Sequence, residues 1–306
     1  MSGAKERHAM QLTLGPILGY WSRDQVLAFY RDAAGWPVDT IYLGEVVCSR
    51  RHQLRLDDWR DLGRELTLAG KTVVLSTQAL LESESELRTL RRIVENGEFL
   101  IEANDLGAVG CLQGRAGFIA GPHLNIYGSE TLTLFTELGA RRWVPPLEMS
   151  AAQLGQLMAD RPTNIETEVF AWGRLPLAFS ARCFTARHFN LKKDECAFRC
   201  QDFADGLLLR TREGEPFLTL NGIQTQSSAT HSLLGELEAV HALGVTHLRL
   251  SPQAQHMAEV VRLFSEALHG AAGAPEEAAA LTEAGLCNGY WHGQPGMRWK
   301  SPDARS

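Results

Sequence analysis

Short apolar runs alternate with longer amphipathic segments along most of this chain, and that alternation is the main signal of its fold. Nine runs have the length and the β-branched or aromatic content of strands. In order they are QLTLGPIL, TIYLG, TVVLS, FLIEA, GFIAG, RRWVPP, IETEVF, FLTLN and HLRLS. Between many of them, apolar residues recur at helical spacing. Strands that alternate with helices predict a parallel sheet.

Helix boundary signals support this alternation. Ser83 and Glu86 fit a capping box at the start of one helix, and Asn96–Gly97 fits its end. Ser251 as a cap and Pro252 as the first helical residue predict another helix near the end of the chain. Its single apolar stripe predicts packing against a sheet and consists of Met257, Val260, Val261, Phe264 and Leu268.

These elements predict an α/β fold: a single (β/α) barrel-like domain with a cysteine-bearing insertion, and a doubly wound open sheet as the alternative. We expect the barrel-like domain to span residues 10–270. The remaining residues, 271–306, are predicted to form a linker and a C-terminal tail that docks on the barrel. No GxGxxG or GxxxxGK[ST] motif is present, so neither dinucleotide nor phosphate-loop binding is indicated.

Composition and charge narrow the functional classes. The chain has 306 residues, of which 44% are hydrophobic, and a net charge of −6, which gives no sign of a nucleic-acid partner. The start, MSGAKERHAMQLTLG, lacks the apolar run of a signal peptide, and no later segment resembles a membrane span. We therefore expect a cytoplasmic protein, in which thiols are kept reduced.

The cysteines are distributed unevenly. Three of the six lie within Phe179–Cys200, where the alternation of strands and helices is interrupted, and Cys48 follows the strand TIYLG. Cys196 and Cys200 have i, i+4 spacing, which on a helix places both thiols on one face. The four thiols are those of Cys48, Cys183, Cys196 and Cys200, and they are predicted to bind either zinc or an iron–sulfur cluster.

The spacing matches neither the usual zinc ribbons nor the ferredoxin pattern, so the residues alone leave both metals open. Cys111 and Cys287 are predicted to be core residues. Five basic side chains in the same stretch either offset the charge of a thiolate-bound centre or are ordinary surface residues; they are Arg182, Arg187, Lys192, Lys193 and Arg199.

Polar residues at predicted strand ends are candidates for a substrate pocket, because barrel proteins place function there. They are Glu45, Glu102, Asp105, His123, Asn125, Glu148 and Glu168. His123 and Asn125, in GPHLNIY, have the most suggestive context for substrate binding. Glu166 and Glu168 share one strand face and are predicted to line the barrel or to pair with Arg174 or Arg182. No catalytic acid or base is assigned.

Long blocks of the chain resemble one known family. They are, in order, YLGEVVCSRR, ENGEFLIEANDLGAV, GPHLNIY, RRWVPPLEMS, LPLAFSARCFTAR, KDECAFRC, LNGIQTQS, LRLSPQ and CNGYWHG. Their order and content resemble the collagenase-like peptidase family U32, and within it the members that act in anaerobic ubiquinone biosynthesis. The resemblance runs from about Leu14 to Met297, nearly the whole chain.

This resemblance implies a specific cofactor and specific partners. Cys48, Cys183, Cys196 and Cys200 match the four ligands of a 4Fe-4S cluster. The partners implied are a UbiU-like subunit in a heterodimer, a UbiT-like lipid carrier and an isoprenoid-phenol quinone precursor. The reaction implied is oxygen-independent ring hydroxylation, with prephenate as the oxygen donor.

Several roles remain open at this stage. Three roles are open for the implied cluster: it transfers electrons, it is the centre at which the hydroxylation takes place, or it only stabilises the fold. The alternatives to a hydroxylase component are a peptidase-like hydrolase and a non-catalytic subunit that stabilises its partner. We find no HExxH motif and no serine or cysteine nucleophile with a plausible base, which argues against a peptidase.

Overall fold

Eight parallel strands form a closed barrel in the computed structural model, which describes residues 10–115, 117–271 and 275–301. In order around the barrel they are β1 (Gln11–Leu14), β2 (Thr40–Leu43), β3 (Thr72–Ser76), β4 (Leu100–Ala103), β5 (Phe118–Ala120), β6 (Ala140–Trp143), β7 (Glu166–Phe179) and β11 (His247–Leu250). Strand β11 pairs in parallel with both β7 and β1, which closes the ring. The predicted barrel is confirmed, and the open-sheet alternative is wrong.

Helices connect the strands. They are α1 (Arg23–Ala33), α2 (Leu56–Leu68), α3 (Glu84–Val94), α4 (Leu106–Leu112), α5 (Ser129–Glu137), α6 (Ala151–Asp160), α8 (Leu237–Ala242) and α9 (Met257–Leu268). Serine capping boxes start three of them, at Ser22, Ser83 and Ser150. Each box satisfies backbone N–H groups that the first turn of a helix leaves free. The capping box predicted at Ser83 is confirmed.

The barrel has an apolar layer on each side of its wall. Residues such as Leu14, Ile41 and Leu75 belong to the main core, which also contains the buried faces of the helices. Tyr42, Val74, Ile119 and Val144 form a separate buried cluster. Because side chains alternate along a strand, strands covered on both sides have nearly continuous apolar runs. This explains why the sequence pattern revealed the barrel strands.

The start of α9 differs from the prediction. The helix begins at Met257, after His256 in the left-handed conformation (φ 60°), and Ser251 and Pro252 lie outside it. The segment between them makes contacts with other parts of the chain instead. Gln253 accepts a hydrogen bond from Trp172 Nε1 at 3.0 Å, and the Ala254 N–H donates to Asp205. Four residues of the predicted apolar stripe are buried, namely Met257, Val260, Val261 and Phe264.

Strand β7 continues beyond the barrel and begins a second group of strands. It pairs antiparallel with β10 (Gln224–Ser232), which pairs with β9 (Pro216–Asn221), which pairs with β8 (Leu207–Arg210). Between β7 and β8 the chain forms α7 (Phe184–His188) and two 3-10 helices, Lys193–Glu195 and Arg199–Asp202. The cysteine-bearing insertion therefore starts where the seventh barrel strand leaves the barrel.

The C-terminal segment packs on the barrel. Strand β12 (Leu286–Cys287) pairs with β10, and Trp291 is buried in the main core. The Ala151 N–H donates to the Trp291 carbonyl at 2.9 Å. A short helix, α10 (Pro275–Ala280), lies within the predicted linker. The boundaries at residues 10–270 and 271–306 stay a prediction, and residues 1–9, 116, 272–274 and 302–306 lie outside the described residues.

Of the helices in the described ranges, none combines the length and the apolar character needed to cross a membrane. The N-terminal stretch MSGAKERHAMQLTLG, in which no signal peptide is expected, lies mostly outside the described residues.

Candidate functional site

The four predicted cysteines line one pocket. Cys48 lies in the loop after β2, Cys183 caps the N-terminus of α7, Cys196 follows the first 3-10 helix of the insertion, and Cys200 lies in the second. The cavity between them measures about 20 Å³, room for one or two water molecules. Two distant parts of the chain therefore bring four thiols to one place.

The loop that carries Cys48 is shaped by Glu45. Its carboxylate accepts hydrogen bonds from the backbone N–H groups of Val47 at 2.9 Å and Cys48 at 3.0 Å. Val46 and Val47 are buried in an apolar cluster with Leu18, and Cys48 and Cys183 pack against that cluster. The turn and the apolar contacts together fix the direction of Cys48.

The position of Cys183 depends on the turn between β9 and β10. The Cys183 sulfur accepts a hydrogen bond from the Ala186 N–H at 3.4 Å, and the Phe184 N–H donates to the Gly222 carbonyl at 3.0 Å. Gly222 has φ 65°, and a Cβ there would lie 2.9 Å from the Arg51 guanidinium. Only glycine fits both the left-handed backbone and the close arginine.

Cys196 and Cys200 do not share a helix face, so that prediction is wrong. Ala197 and Phe198 between them have φ 47° and 53°, in the left-handed region. Two such residues in succession end one 3-10 helix and allow the next to start in a new direction. Phe198 contacts the Tyr20 ring at a centroid distance of 5.9 Å. Both thiols reach the pocket by a turn rather than by helical spacing.

A buried arginine that the sequence analysis did not identify lies beside the thiols. Arg51 is 4% exposed, donates to the Leu18 carbonyl at 2.8 Å and to Asn221 Oδ1 at 2.6 Å, and lines the same pocket as Cys200. Its guanidinium also lies over the Tyr20 ring at 5.2 Å. The available signal was the Arg-Arg pair that follows Cys48 by two positions.

Of the five predicted basic residues, Lys193 and Arg199 line the pocket. Arg199 stacks on the Phe189 ring at 4.4 Å and pairs with Asp202 at 3.0 Å. Arg182, Arg187 and Lys192 are not lining residues. The positive charge at the pocket therefore comes from Arg50 and Arg51 on the barrel side as well as from the insertion.

Burial is the main cause of the raised pKa values of two of these thiols, those of Cys48 and Cys200. Burial raises the pKa of Cys48 to about 11, with Arg51 acting in the opposite direction. Burial likewise raises the pKa of Cys200, and the nearby Arg51 charge opposes it. As free thiols these groups stay protonated at neutral pH, and binding a metal centre would deprotonate them.

Four cysteine thiols are the ligand set of a 4Fe-4S cluster and also of a structural zinc ion. In the part of the chain that the structure describes, no group of three or more His, Cys, Asp or Glu residues is arranged to hold a metal ion.

The barrel interior holds a buried network of ion pairs. Arg249 donates to Glu168 at 2.7 Å and to Glu102 at 2.6 Å, and Arg142 lies 3.3 Å from Glu168. Tyr42 and Thr13 also donate to Glu168. Burial raises the pKa of Glu168, but Arg249 and Arg142 outweigh it and lower that pKa to about 2. Glu168 therefore stays charged, and both carboxylates are paired with Arg249.

Of the two alternatives predicted for the β7 carboxylates, Glu168 lines the barrel interior, whereas pairing with Arg174 or Arg182 is not found among the described residues. Glu166 pairs with Arg142 at 2.9 Å, and Glu168 pairs with Arg249 and Arg142. Arg174, one of the predicted partners, pairs instead with Glu283 at 3.3 Å. Arg174 and Arg182 come after the part of β7 that belongs to the barrel. The actual partners, Arg142 and Arg249, are on β6 and β11, the two strands that flank β7 in the barrel.

The remaining polar candidates have separate structural roles. His123 packs edge-on against Phe179 at 4.9 Å, and burial together with the Arg249 charge lowers its pKa to about 4. Asn125 is exposed and has φ 55°, at the end of the 3-10 turn Pro122–Leu124. Asp105 caps α4, and Glu148 accepts a hydrogen bond from Tyr127. That His123 and Asn125 bind substrate stays a prediction.

The fold and the site define an enzyme-like α/β barrel protein in which a cysteine-bearing insertion follows the seventh strand. The family comparison agrees with this class. The chain belongs to peptidase family U32, whose family model matches residues 26–301. The predicted family is thereby confirmed.

Solved structures with a similar fold include the U32 peptidase Mk0906, at 12% identity over 83% of this chain and 97% of that chain, with a TM-score of 0.45. Others are a tryptophan synthase complex from Pyrococcus furiosus (11% identity, 85% and 92% of the two chains, TM-score 0.42) and oxaloacetate acetylhydrolase (11%, 89% and 87%, TM-score 0.43).

Proposed function

We propose that this chain is the 4Fe-4S-binding subunit of a UbiU–UbiV-type heterodimer that supports oxygen-independent hydroxylation of an aromatic ring. The observation that carries the proposal is the meeting of Cys48, Cys183, Cys196 and Cys200 in one pocket, beside the buried Arg51. The sequence resemblance adds the pathway, anaerobic ubiquinone biosynthesis. It also adds the partners, a UbiU-like subunit and a UbiT-like lipid carrier, and the oxygen donor, prephenate.

The four cysteines and Arg51 have distinct roles in this proposal. The four cysteines would hold the cluster as thiolates, and the positive charge of Arg51, which lies close to Cys200, would offset part of their negative charge. A bound cluster supplies one-electron transfer. With all four cysteines as ligands, the protein would leave no iron open to substrate, so redox support fits this donor set better than oxygen transfer at the cluster itself.

The test is an analysis of iron and acid-labile sulfide in protein purified without oxygen. We expect a brown protein with about four irons and about four sulfides per chain. Cys183→Ala should lose the colour and the iron, whereas Cys111→Ala, outside the pocket, should keep both. One zinc per chain would support a structural site instead. A colourless, metal-free protein after anaerobic reconstitution would refute the proposal.

A second candidate function is peptide hydrolysis, which the name of the family favours. Among the described residues, no serine or cysteine side chain hydrogen-bonds a histidine ring, an arrangement that a nucleophile and its base would show. A peptidase would degrade casein or gelatin without iron and would keep this activity in Cys183→Ala. We expect neither substrate to be cleaved.

A further inference from the structure

A second cavity, of about 440 Å³, lies at the carboxyl end of three neighbouring barrel strands. Its lining comes from the loops after β1 and β11, from the part of β7 beyond the barrel, from β10 and from the end of α10. This volume lies within the 300–1,000 Å³ or so of typical small-molecule sites. None of its lining residues also lines the cysteine pocket, so the two sites are separate.

Three polar side chains that are almost fully buried line this cavity without a hydrogen-bond partner for their oxygens. Gln226, Thr230 and Ser251 are each 6% exposed. Within the described residues, the hydroxyls of Thr230 and Ser251 and the side-chain oxygen of Gln226 make no hydrogen bond, yet none of these oxygens is closed off from solvent. Buried polar groups are normally hydrogen-bonded. These three groups therefore call for a partner that enters the cavity.

The Asp205 carboxylate lines the same cavity and is only partly compensated. It accepts one backbone N–H, that of Ala254 at 2.9 Å, although a carboxylate has about four lone-pair positions. Arg174 donates to the Asp205 backbone carbonyl rather than to its carboxylate, and pairs with Glu283 at 3.3 Å. Burial raises the pKa of the Asp205 carboxyl despite the charge of Arg174. A cation beside this carboxylate would complete the compensation.

The charges of the cavity disfavour an anion. Barrel enzymes frequently bind phosphate at the loops that follow the seventh and eighth strands. Here the Asp205 carboxylate already accepts the Ala254 N–H in the loop after β11, the eighth strand of the barrel. Two acidic side chains, those of Asp205 and Glu283, line the cavity with one guanidinium, that of Arg174. A cationic ligand is therefore favoured.

The rest of the lining narrows the kind of cation. Leu18, Pro252 and Leu281 supply apolar surface for a carbon skeleton. No Phe, Tyr or Trp is among the described lining residues, so the rings that hold a quaternary ammonium group are missing. A bare metal ion would leave most of the 440 Å³ unfilled. An ammonium group with N–H donors fits the carboxylate, and hydroxyl groups fit the three neutral oxygens.

We propose that this cavity binds a small protonated amino alcohol, with its ammonium group at the Asp205 carboxylate and its hydroxyl groups at Gln226, Thr230 and Ser251. The inference goes beyond the proposed function and does not depend on it, because the cavity shares no lining residue with the cysteine pocket. Iron content and ligand binding are thus separate measurements on the same protein.

The test is isothermal titration calorimetry of the full chain with serinol (2-amino-1,3-propanediol), in phosphate buffer at pH 7 because amine buffers would compete. Glycerol has the same skeleton with a hydroxyl in place of the ammonium group, and should bind at least about tenfold more weakly. Glycerate, an anion of similar size, should not bind measurably. Absence of serinol binding to the wild type, or equal affinity for serinol and glycerol, would overturn the proposal. This comparison requires no variant to fold.

Substitution of the carboxylate tests its role. Asp205→Asn keeps the shape of the side chain and an oxygen for the Ala254 N–H, and should weaken serinol binding by more than about tenfold. Asp61→Asn removes a carboxylate that is 69% exposed on α2 and should leave the Kd unchanged. Circular dichroism confirms that each variant is folded. An unchanged Kd in folded Asp205→Asn, or an equal loss in Asp61→Asn, would contradict the assignment.

A second substitution tests the hydroxyl contacts. Isopropylamine has the carbon skeleton and the ammonium group of serinol but no hydroxyl. Thr230→Val, which replaces a hydroxyl with a methyl group of similar size, should weaken serinol binding by about threefold or more and leave isopropylamine binding unchanged. Equal losses for both amines would show that Thr230 does not bind a ligand hydroxyl.

Discussion

Replacing Arg249 with methionine removes the central charge of the barrel interior. The guanidinium lies 2.6 Å from Glu102 and 2.7 Å from Glu168, and both carboxylates are essentially inaccessible to solvent. Methionine is of similar length but carries no charge. The variant would leave two buried carboxylates with one remaining cation, Arg142, at 3.3 Å from Glu168.

The expected cost follows from this geometry. Removing one partner of a buried ion pair typically costs about 3–5 kcal/mol, because the other charge stays buried without compensation. At about 2 °C per kcal/mol for a chain of this size, the melting temperature should fall by about 6–10 °C. The cation–π contact of Arg249 with Tyr42, at 4.2 Å, is lost as well.

The pH dependence gives a sharper signature. In the wild type, the pKa of Glu168 is lowered to about 2, so its stabilising contribution is complete above its ordinary value of 4.5 and is lost only as the pH falls toward 2. Without Arg249 the largest charge that opposes burial is gone, so burial shifts the pKa of this carboxyl upward. The penalty is then present at neutral pH and decreases as the carboxyl becomes protonated, so the variant should lose less stability at pH 5 than at pH 7.

Urea unfolding followed by circular dichroism at both pH values measures this effect. Arg262→Met is the matched control, since Arg262 is half-exposed and pairs with Glu266 on the surface of α9 at 2.7 Å. That control should change the unfolding free energy by less than about 1 kcal/mol. A loss below about 1 kcal/mol in Arg249→Met, or a loss that grows as the pH falls to 5, would refute the reasoning.

Three further predictions concern other parts of the molecule. In the reconstituted protein, Arg51→Met should shift the midpoint potential of the cluster by about 50–100 mV to more negative values, because a buried positive charge favours the reduced form. Redox titration measures this shift, and an unchanged potential would contradict the prediction. Iodoacetamide at pH 8 should label Cys111 but not Cys287 in the folded protein, as mass spectrometry would show, because Cys287 is fully buried and burial raises its pKa to about 12; labelling of folded Cys287 would contradict it. Trp291→Ala should lower the unfolding free energy by about 3–5 kcal/mol, whereas the half-exposed Trp299→Ala should cost less than about 1 kcal/mol; equal costs would show that the tail does not stabilise the barrel.

The barrel was predictable because its strands are covered on both faces and therefore contain long apolar runs. Strand β10 was missed because its sequence, QTQSSATHS, has no such run, although most of it is buried. Some of its polar side chains bond to each other, as in the hydrogen bond from Gln226 to Gln224 at 2.8 Å, whereas Gln224 Nε2 and His231 Nδ1 are buried without a partner among the described residues. Local hydrophobicity carries no information about a strand of this kind.

The sequence was sufficient to predict which cysteines form the site but not how they are arranged in space. The clustering of cysteines identified the four that line the pocket. Their spacing suggested a helix, because Ala197 and Phe198 carry no sequence signal for the left-handed conformation, which is normally taken by glycine. The roles of Glu102 and Glu168 also depended on tertiary structure, since their partner Arg249 comes from a strand far along the chain.

The separation of Cys48 from the other three cysteines along the chain also determines the order of assembly. Five of the eight barrel strands, β3 to β7, lie between Cys48 and Cys183. A cofactor bound by all four thiols would therefore close a very long loop, and the entropy of loop closure makes this contact improbable in the unfolded chain. Folding of the barrel brings the two ends of that loop together. Insertion of such a cofactor would thus be a late event, and a chain that failed to close its barrel could not bind it with all four thiols.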